Sequence, residues 1–420
     1  VKRAFVALFG ATALAGCVTA ARLDWPAAQP AGQAMLPDIP YPVRIVNPSY
    51  DEFHALYEER IAMARSTVRD GSLDILALSG GGAGGVFGAG AMAGFTHSGK
   101  RPTFEIVTGI STGSLIAPFA FLGPEWDQKL EEGYTGGKSA SLVTTAGVGS
   151  LFRVGVFKGD ALRELVSEFV TPELIEAVAR ESATGRALLV ATTDLDTEQP
   201  VYWDMGAIAA RGGDEARELF INVLVASSSV PGAFPPVMIP VEGPAGKYDE
   251  MHVDGGVTVP FFIAPEVAFM ADGVFPGLRG ANVYVVINGQ LESTPRITPP
   301  NTISMVMRSS NVAMMRMARS EMLLAAGYAR RNRMKFHFTY LPGTYPFAGS
   351  LNFEQASMRQ LFDYAEACAE KGELWLTDRD ALEKSGKALV YPEGDAATCP
   401  AAAPQPAPPD ETPTASEAVN

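Results

Sequence analysis

Three short segments hold groups capable of chemistry. Ser111 stands in Gly109-Ile110-Ser111-Thr112-Gly113. A serine flanked by glycines at this spacing suits a tight turn that exposes Oγ as a nucleophile, provided a strand precedes it and a helix follows. Asp254 opens Asp254-Gly255-Gly256. A carboxylate beside two glycines can stand on a turn and act as a base, although such triplets also form plain Asx turns. The third segment is Gly80-Gly81-Gly82-Ala83-Gly84-Gly85. Its glycines let backbone N–H groups approach a ligand, which serves phosphate binding or an oxyanion hole.

A nucleotide reading of the glycine run meets the spacing of Gly80, Gly82 and Gly85 but lacks its partners. No Gly-Lys-Ser/Thr closes the run, and the acid at the required distance, Glu105, falls inside a strand candidate. Four histidines are present: His54, His97, His252 and His337. A serine–histidine triad would need a histidine late in the chain. His337 alone has that position, but it lies in an alternating strand-like segment. His252, two residues before Asp254, reads as a strand residue that can also serve Asp254 as a supporting donor. Ser227, Ser228 and Ser229 precede Val230-Pro231 and read as a loop that caps backbone groups near the site. Asp194 and Asp196 offer metal-ligand oxygens in principle, but their spacing suits a turn. Trp203 and Phe234 suit either acyl-chain contact or core.

The elements that must position these residues follow from periodicity. Apolar runs at 73–78, 104–108, 187–192 and 281–287 read as strands buried on both faces, and 335–340 alternates as a further strand. Helical segments fall between them, at 85–95, 115–121, 160–169 and 172–180, the last with Thr171 as N-cap and Pro172 at its first position. Later helices read at 301–330, with a break near Ser309-Ser310, and at 352–371. The former carries Met305, Met307, Met314, Met315, Met317 and Met322, which suit core packing or an acyl-chain groove. Strands alternating with helices predict a layered α/β domain with a mostly parallel central sheet. The stretch 133–150 is rich in Gly, Ser and Thr and reads as a mobile connection.

In order and spacing, the glycine run, the serine elbow and the Asp-Gly-Gly turn resemble the signature of the patatin-like phospholipase family. The segment 226–236, Ala-Ser-Ser-Ser-Val-Pro-Gly-Ala-Phe-Pro-Pro, resembles the family's internal block. The resemblance spans about 73–371 and implies a three-layer patatin-like fold. It implies a dyad without histidine, with Ser111 as nucleophile, Asp254 as base and the glycine run as oxyanion hole, formed by the N–H groups of Gly81, Gly82 and Thr112. Gly80, Gly84, Gly85, Gly109, Gly113, Gly255 and Gly256 are the supporting glycines. The implied chemistry is hydrolysis of lipid acyl esters through an acyl-serine, with no metal and no cofactor. One departure stands out: the family often carries Arg or Lys where this chain has Gly84, which removes a cation near a phospholipid headgroup. The competing reading is a non-catalytic envelope structural or lipid-binding lipoprotein. The intact serine–aspartate pair favours the enzyme.

Composition bounds the setting. The chain has 420 residues, 47% of them hydrophobic, and 47 acidic against 33 basic residues give a net charge of −14. That excess argues against nucleic acid as partner and against electrostatic adhesion to an anionic membrane, leaving an apolar contact open. Lys2 and Arg3, the apolar stretch 4–16 and Leu14-Ala15-Gly16-Cys17 resemble a lipoprotein signal with Cys17 as lipidation site. Val18, rather than Asp, follows the cysteine, which suggests an outer-membrane lipoprotein of the cell envelope facing the periplasm, joined to the membrane through an N-terminal lipid anchor. Cys368 and Cys399 can pair in an oxidising compartment or stay free. The expected division is a signal at 1–17, a tether and helix at 18–70, a catalytic domain at 71–375, and an extension at 376–420 that is disordered from about 395.

Overall fold

The computed structural model describes residues 35, 36, 39, 43–46, 48–143, 159–244, 246–270, 274–292, 297–380 and 398–401. Residues 1–17, and with them Cys17 and the signal expected there, lie outside the described residues, as do 144–150 of the expected loop.

Apolar runs form the middle of one sheet. Its central strands lie in the order β4 (Ala187–Asp194), β3 (Ile106–Ile110), β2 (Asp74–Leu78), β8 (Asn282–Ile287) and β9 (Lys335–Tyr340), all parallel. Antiparallel strands extend both margins. On one side β5 (Gln199–Asp204) and then β1 (Arg44–Val46) follow β4, and on the other β10 (Leu376–Thr377) follows β9. A hairpin of β6 (Val237–Gly243) and β7 (Gly246–Asp254) joins through the end of β7, where Thr192 faces Asp254.

Alternation along each central strand divides the core into two layers. Leu76, Leu78, Val107 and Val286 enter one apolar cluster, while Ile75, Ala77, Ile106, Val283 and Val285 enter the other. The helices α1 (Tyr50–Thr67), α9 (Glu266–Met270) and α10 (Thr302–Arg331) cover the second cluster. The first is covered by α2 (Gly85–His97), α3 (Thr112–Leu122), α5 (Gly159–Phe169), α6 (Pro172–Ala183), α7 (Met205–Arg211), α8 (Gly213–Ser227) and α11 (Gln355–Glu370). This is the expected three-layer α/β architecture.

Local chemistry sets the helix starts. Thr171 caps α6 by accepting from the Leu174 N–H at 3.3 Å, with Pro172 behind it. Ser49 and Glu52 cap each other reciprocally at the start of α1. Three expectations fail. The segment 133–150 is not an open loop where it is described: α4 (Asp127–Thr135) and a 3-10 turn at Lys138–Val143 take up 133–143. The break near Ser309-Ser310 is absent, because Asn301 caps a single helix that runs unbroken through both serines. The tether is not bare, because Val43 is buried and Arg44, Ile45 and Val46 pair with Trp203, Tyr202 and Val201.

Candidate functional site

Ser111 lies between the end of β3 and the start of α3, with φ 53° and ψ −129°. That left-handed value is unusual for a residue with a side chain and marks a turn held by its surroundings. The turn is closed tightly enough that a Cβ on Gly109 would stand 2.6 Å from the Gly113 carbonyl oxygen, and one on Gly113 would stand 2.3 Å from that of Leu78. Ser114 fastens the first turn of α3, donating to the Ser111 carbonyl through its hydroxyl at 2.6 Å.

Asp254 ends β7. Its N–H donates to the Ser229 carbonyl at 3.0 Å, and its own carbonyl accepts from the Thr193 hydroxyl at 3.0 Å. One carboxylate oxygen accepts from the Gly256 N–H at 2.7 Å, so the Asp-Gly-Gly segment is an Asx turn as well as the site of a buried acid. The Ser111 side chain lies near enough to this carboxylate to pull its pKa down. Burial pushes its pKa from 3.8 up to about 7, against the opposing pull of the nearby Ser111 side chain and the Gly256 N–H.

The glycine run passes beside Ser111. A Cβ on Gly80 would sit 3.2 Å from that of Ser111. Gly82 has φ +58°, and a Cβ there would stand 2.1 Å from the Ser350 carbonyl oxygen, so both conformation and space require glycine. At Gly84 a Cβ would stand 2.2 Å from the Asn288 carbonyl oxygen, which explains why the basic residue expected from the resemblance has no room here. Gly85 begins α2 directly against Thr112. The N–H groups of Gly80, Ala83 and Gly84 donate to Pro260, Ser350 and Gly81. Those of Gly81, Gly82 and Thr112 find no acceptor among the described residues. Gly255 backs onto Ala191 of β4.

Of three supporting side chains, Asn288 and Tyr134 escaped the sequence reading. Ser227, at the end of α8, accepts from the Ser111 N–H at 3.0 Å and donates to the Ala191 carbonyl at 2.7 Å. Ser227 ends the helix and Ser228 and Ser229 lead out of it, and Ser227 and Ser229 engage backbone groups at the site as the sequence reading expected. Asn288, fully buried after β8, donates its amide to the Ser79 carbonyl at 2.7 Å and its N–H to the Ser79 hydroxyl at 2.9 Å, fixing the start of the glycine run. The Tyr134 hydroxyl lies 2.7 Å from that of Thr112 and 2.9 Å from its carbonyl oxygen. Of the two that escaped, only Asn288 left a signal, an Asn-Gly pair closing an apolar run.

The remaining candidates lie elsewhere or do other work. His252 does not serve Asp254: its ring nitrogens meet the Thr192 hydroxyl at 2.9 Å and the Glu250 carboxylate at 3.1 Å. Glu250 also pairs with Arg44, with a second contact at 3.1 Å. Burial alone would raise Glu250, but the bonds from His252 and Arg44 prevail and hold it at about 2. His337 stacks on Tyr284 with centroids 4.9 Å apart, three residues before the end of β9, so it does not reach the turn after β3. Asp194 closes a turn, accepting from the Asp196 N–H at 3.1 Å and the Thr197 hydroxyl at 2.7 Å. Trp203 is core, its indole donating to Thr192 at 2.8 Å, and Phe234 is buried. Glu105 accepts from the Asp74 N–H at 2.8 Å, at the end of the sheet opposite the glycine run.

A cavity opens beside Thr112. Its volume is about 80 Å³, and its walls are almost wholly apolar, among them Leu115, Phe119, Leu165, Leu224, Phe353 and Met358. The arrangement joins an alcohol on a strained turn, a buried acid near neutrality, unengaged amide donors and an apolar chamber. These are the parts acyl transfer requires.

Comparison with known proteins adds a family likeness. Among solved structures, VipD from Legionella pneumophila is similar at 13% identity with a TM-score of 0.37, over 73% of this chain and 68% of that one. No curated protein matches the chain. Residues 76–265 match the family model of the patatin-like phospholipases. The match takes in the glycine run, the Ser111 elbow and the Asp254 turn. Residues 76–265 of this chain are thus similar to a patatin-like phospholipase domain.

Proposed function

We propose that the chain hydrolyses lipid acyl esters with Ser111 as nucleophile and Asp254 as base. The observation that carries this reading is the convergence of Ser111, on its left-handed turn, and the buried Asp254 carboxylate, held near neutrality, on the same 227–229 segment. Asp254 takes the hydroxyl proton as Oγ attacks the ester carbonyl. The N–H groups of Gly81, Gly82 and Thr112 meet the developing oxyanion, each such donor being worth about 3–4 kcal/mol of barrier. The proton passes to the departing alcohol and leaves an acyl-serine. Water, deprotonated by Asp254, attacks that ester, and the fatty acid leaves as Ser111 regains its proton. The cavity beside Thr112 takes the acyl chain. The lipid-recognising part of the site is therefore the apolar chamber, and the absent cation at Gly84 leaves the headgroup weakly specified.

We also propose that the protein works in the cell envelope as an outer-membrane lipoprotein anchored through Cys17. The lipobox-like Leu14-Ala15-Gly16-Cys17 supports this, and so does a disulfide between Cys368 and Cys399, which suits an oxidising compartment.

The test is hydrolysis of a medium-chain p-nitrophenyl ester, with fluorophosphonate labelling alongside. Wild type should turn over and take the label, while Ser111→Ala should lose both, with activity falling by a factor of at least about 10³ and an unchanged circular dichroism spectrum. Equal activity in the two chains would remove Ser111 from the reaction.

A further inference from the structure

The helix α10 is far longer than the layer it belongs to. Its 30 residues span about 45 Å, whereas the six of β8 before it span about 20 Å. Among the side chains described, the buried ones lie in its second half: Ala318, Glu321, Met322, Ala325, Ala326, Tyr328 and Ala329. β8 runs toward the end of the sheet that carries Ser111, and β9 returns parallel to it, so α10 must start at that end and run back. Its first 16 residues therefore overhang the rim on which Ser111 lies, by about 24 Å.

The overhang is unusual in composition. Met305, Val306, Val312 and Met314 are 39–57% exposed, and Ile297 just before the helix is 96% exposed. Charge is as uneven. From 293 to 320 there is no acid, while Arg296, Arg308, Arg316 and Arg319 are present, in a chain of net charge −14. Arg308 and Arg316 form no ion pair among the described residues. Arg308 and Arg316 thus stand on an acid-free helix half that also exposes methionine and valine, and the helix points its positive dipole end outward.

We propose that this overhanging half of α10 is a docking surface for anionic lipid, which it enters to the depth of its exposed methionines and valines while its arginines meet the headgroups. Charge decides between partners: acid-free, arginine-bearing apolar helices bind anionic interfaces in this way. No helix among the described residues is long and apolar enough to cross a membrane, so the contact lies along the surface. Docking there sets the sheet rim with Ser111 toward the lipid. The inference stands on α10 itself and not on the chemistry at Ser111.

The experiment uses the full chain with Cys17→Ser, which removes any acyl anchor, and Val312→Cys carrying an environment-sensitive fluorophore. On vesicles of pure phosphatidylglycerol the emission should shift to the blue, and on neutral phosphatidylcholine far less. Arg308→Gln with Arg316→Gln should raise the lipid concentration for half-maximal shift about thirtyfold, near fivefold per arginine. The same label at exposed Glu176→Cys, on α6, should stay in water. The proposal falls if position 312 stays in water on anionic vesicles or responds equally to neutral ones, or if Glu176 shifts as much. A shift that appears without vesicles and grows with protein concentration would assign the surface to a second copy instead. The Ser111→Ala chain should give the same shift, so a failure of hydrolysis and a failure of docking are read separately.

Discussion

At the scale of single residues the site turns on Asp254. Its pKa of about 7 against an ordinary 3.8 has two consequences of opposite sense. Only the carboxylate accepts a proton, so kcat/KM for a soluble ester should rise with pH through about 7, with roughly a tenfold change per unit below it. Stability should move the other way. Between 3.8 and about 7 the folded chain holds a proton that the unfolded chain has released, so stability present below that window is lost across it as pH rises. Asp254→Asn, neutral at every pH, should abolish hydrolysis and raise stability at pH 8 by up to roughly 4 kcal/mol, with little change at pH 4. Urea melts of both chains at the two pH values decide this. An Asn variant no more stable at pH 8 would show that Asp254 is not held near neutrality. Ser227 offers a second test at this scale. Ser227→Ala strips the Ser111 N–H and the Ala191 carbonyl of a buried partner and should cost about 1–3 kcal/mol, read by the same melts.

At the scale of elements, what the sequence disclosed depended on whether an inward face was apolar. The central strands are apolar on both faces and could be read directly. β7 could not, because its inward positions include Tyr248, Glu250 and His252, so the alternation that defines a strand is written in polar residues. Its burial works only because Arg44, Thr192 and Trp203 complete the network, and no local pattern announces partners so far apart. β1 is three residues long and β5 begins with Gln199-Pro200, so neither rises above a loop signature. The glycine run, elbow and Asp turn were legible because backbone geometry, not distant packing, demands those residues. Tyr134 was not, since a tyrosine in a helix has no local mark of what it touches. The helices around the cavity bear a prediction of their own. Leu165→Trp on α5 would fill part of the chamber, so activity should shift from long-chain toward short-chain esters by at least about tenfold in the kcat/KM ratio. A ratio unchanged from wild type would move the acyl chain elsewhere.

Across the whole molecule, residues 398–401 are less free than their composition implied. Cys368 in α11 is bonded to Cys399, and the Ala401 N–H donates to the Glu373 carbonyl at 2.8 Å. Residues 398–401 are therefore ordered, contrary to the expectation of disorder from about 395: a covalent bond outweighs an Ala- and Pro-rich composition. Closing a loop of this separation is worth about 3–4 kcal/mol on the chain-entropy account. Cys399→Ser should lower the melting temperature, and reductant should lower that of wild type to match. No response to reductant would mean that the two sulfurs are not joined in solution.

The pairing of Arg44 with Glu250 bears on where this protein can be cut. A fragment limited to residues 76–265 would lack β8 and β9 and the helices α1, α9 and α10 that cover the second cluster. A more generous piece beginning at residue 50 would keep every parallel strand and still discard Arg44. That would strand a buried anion on the very strand that ends in Asp254, a loss of roughly 3–5 kcal/mol. The segment that seemed dispensable cabling is part of the footing of Asp254. Recombinant versions meant to remain intact should start upstream of Val43.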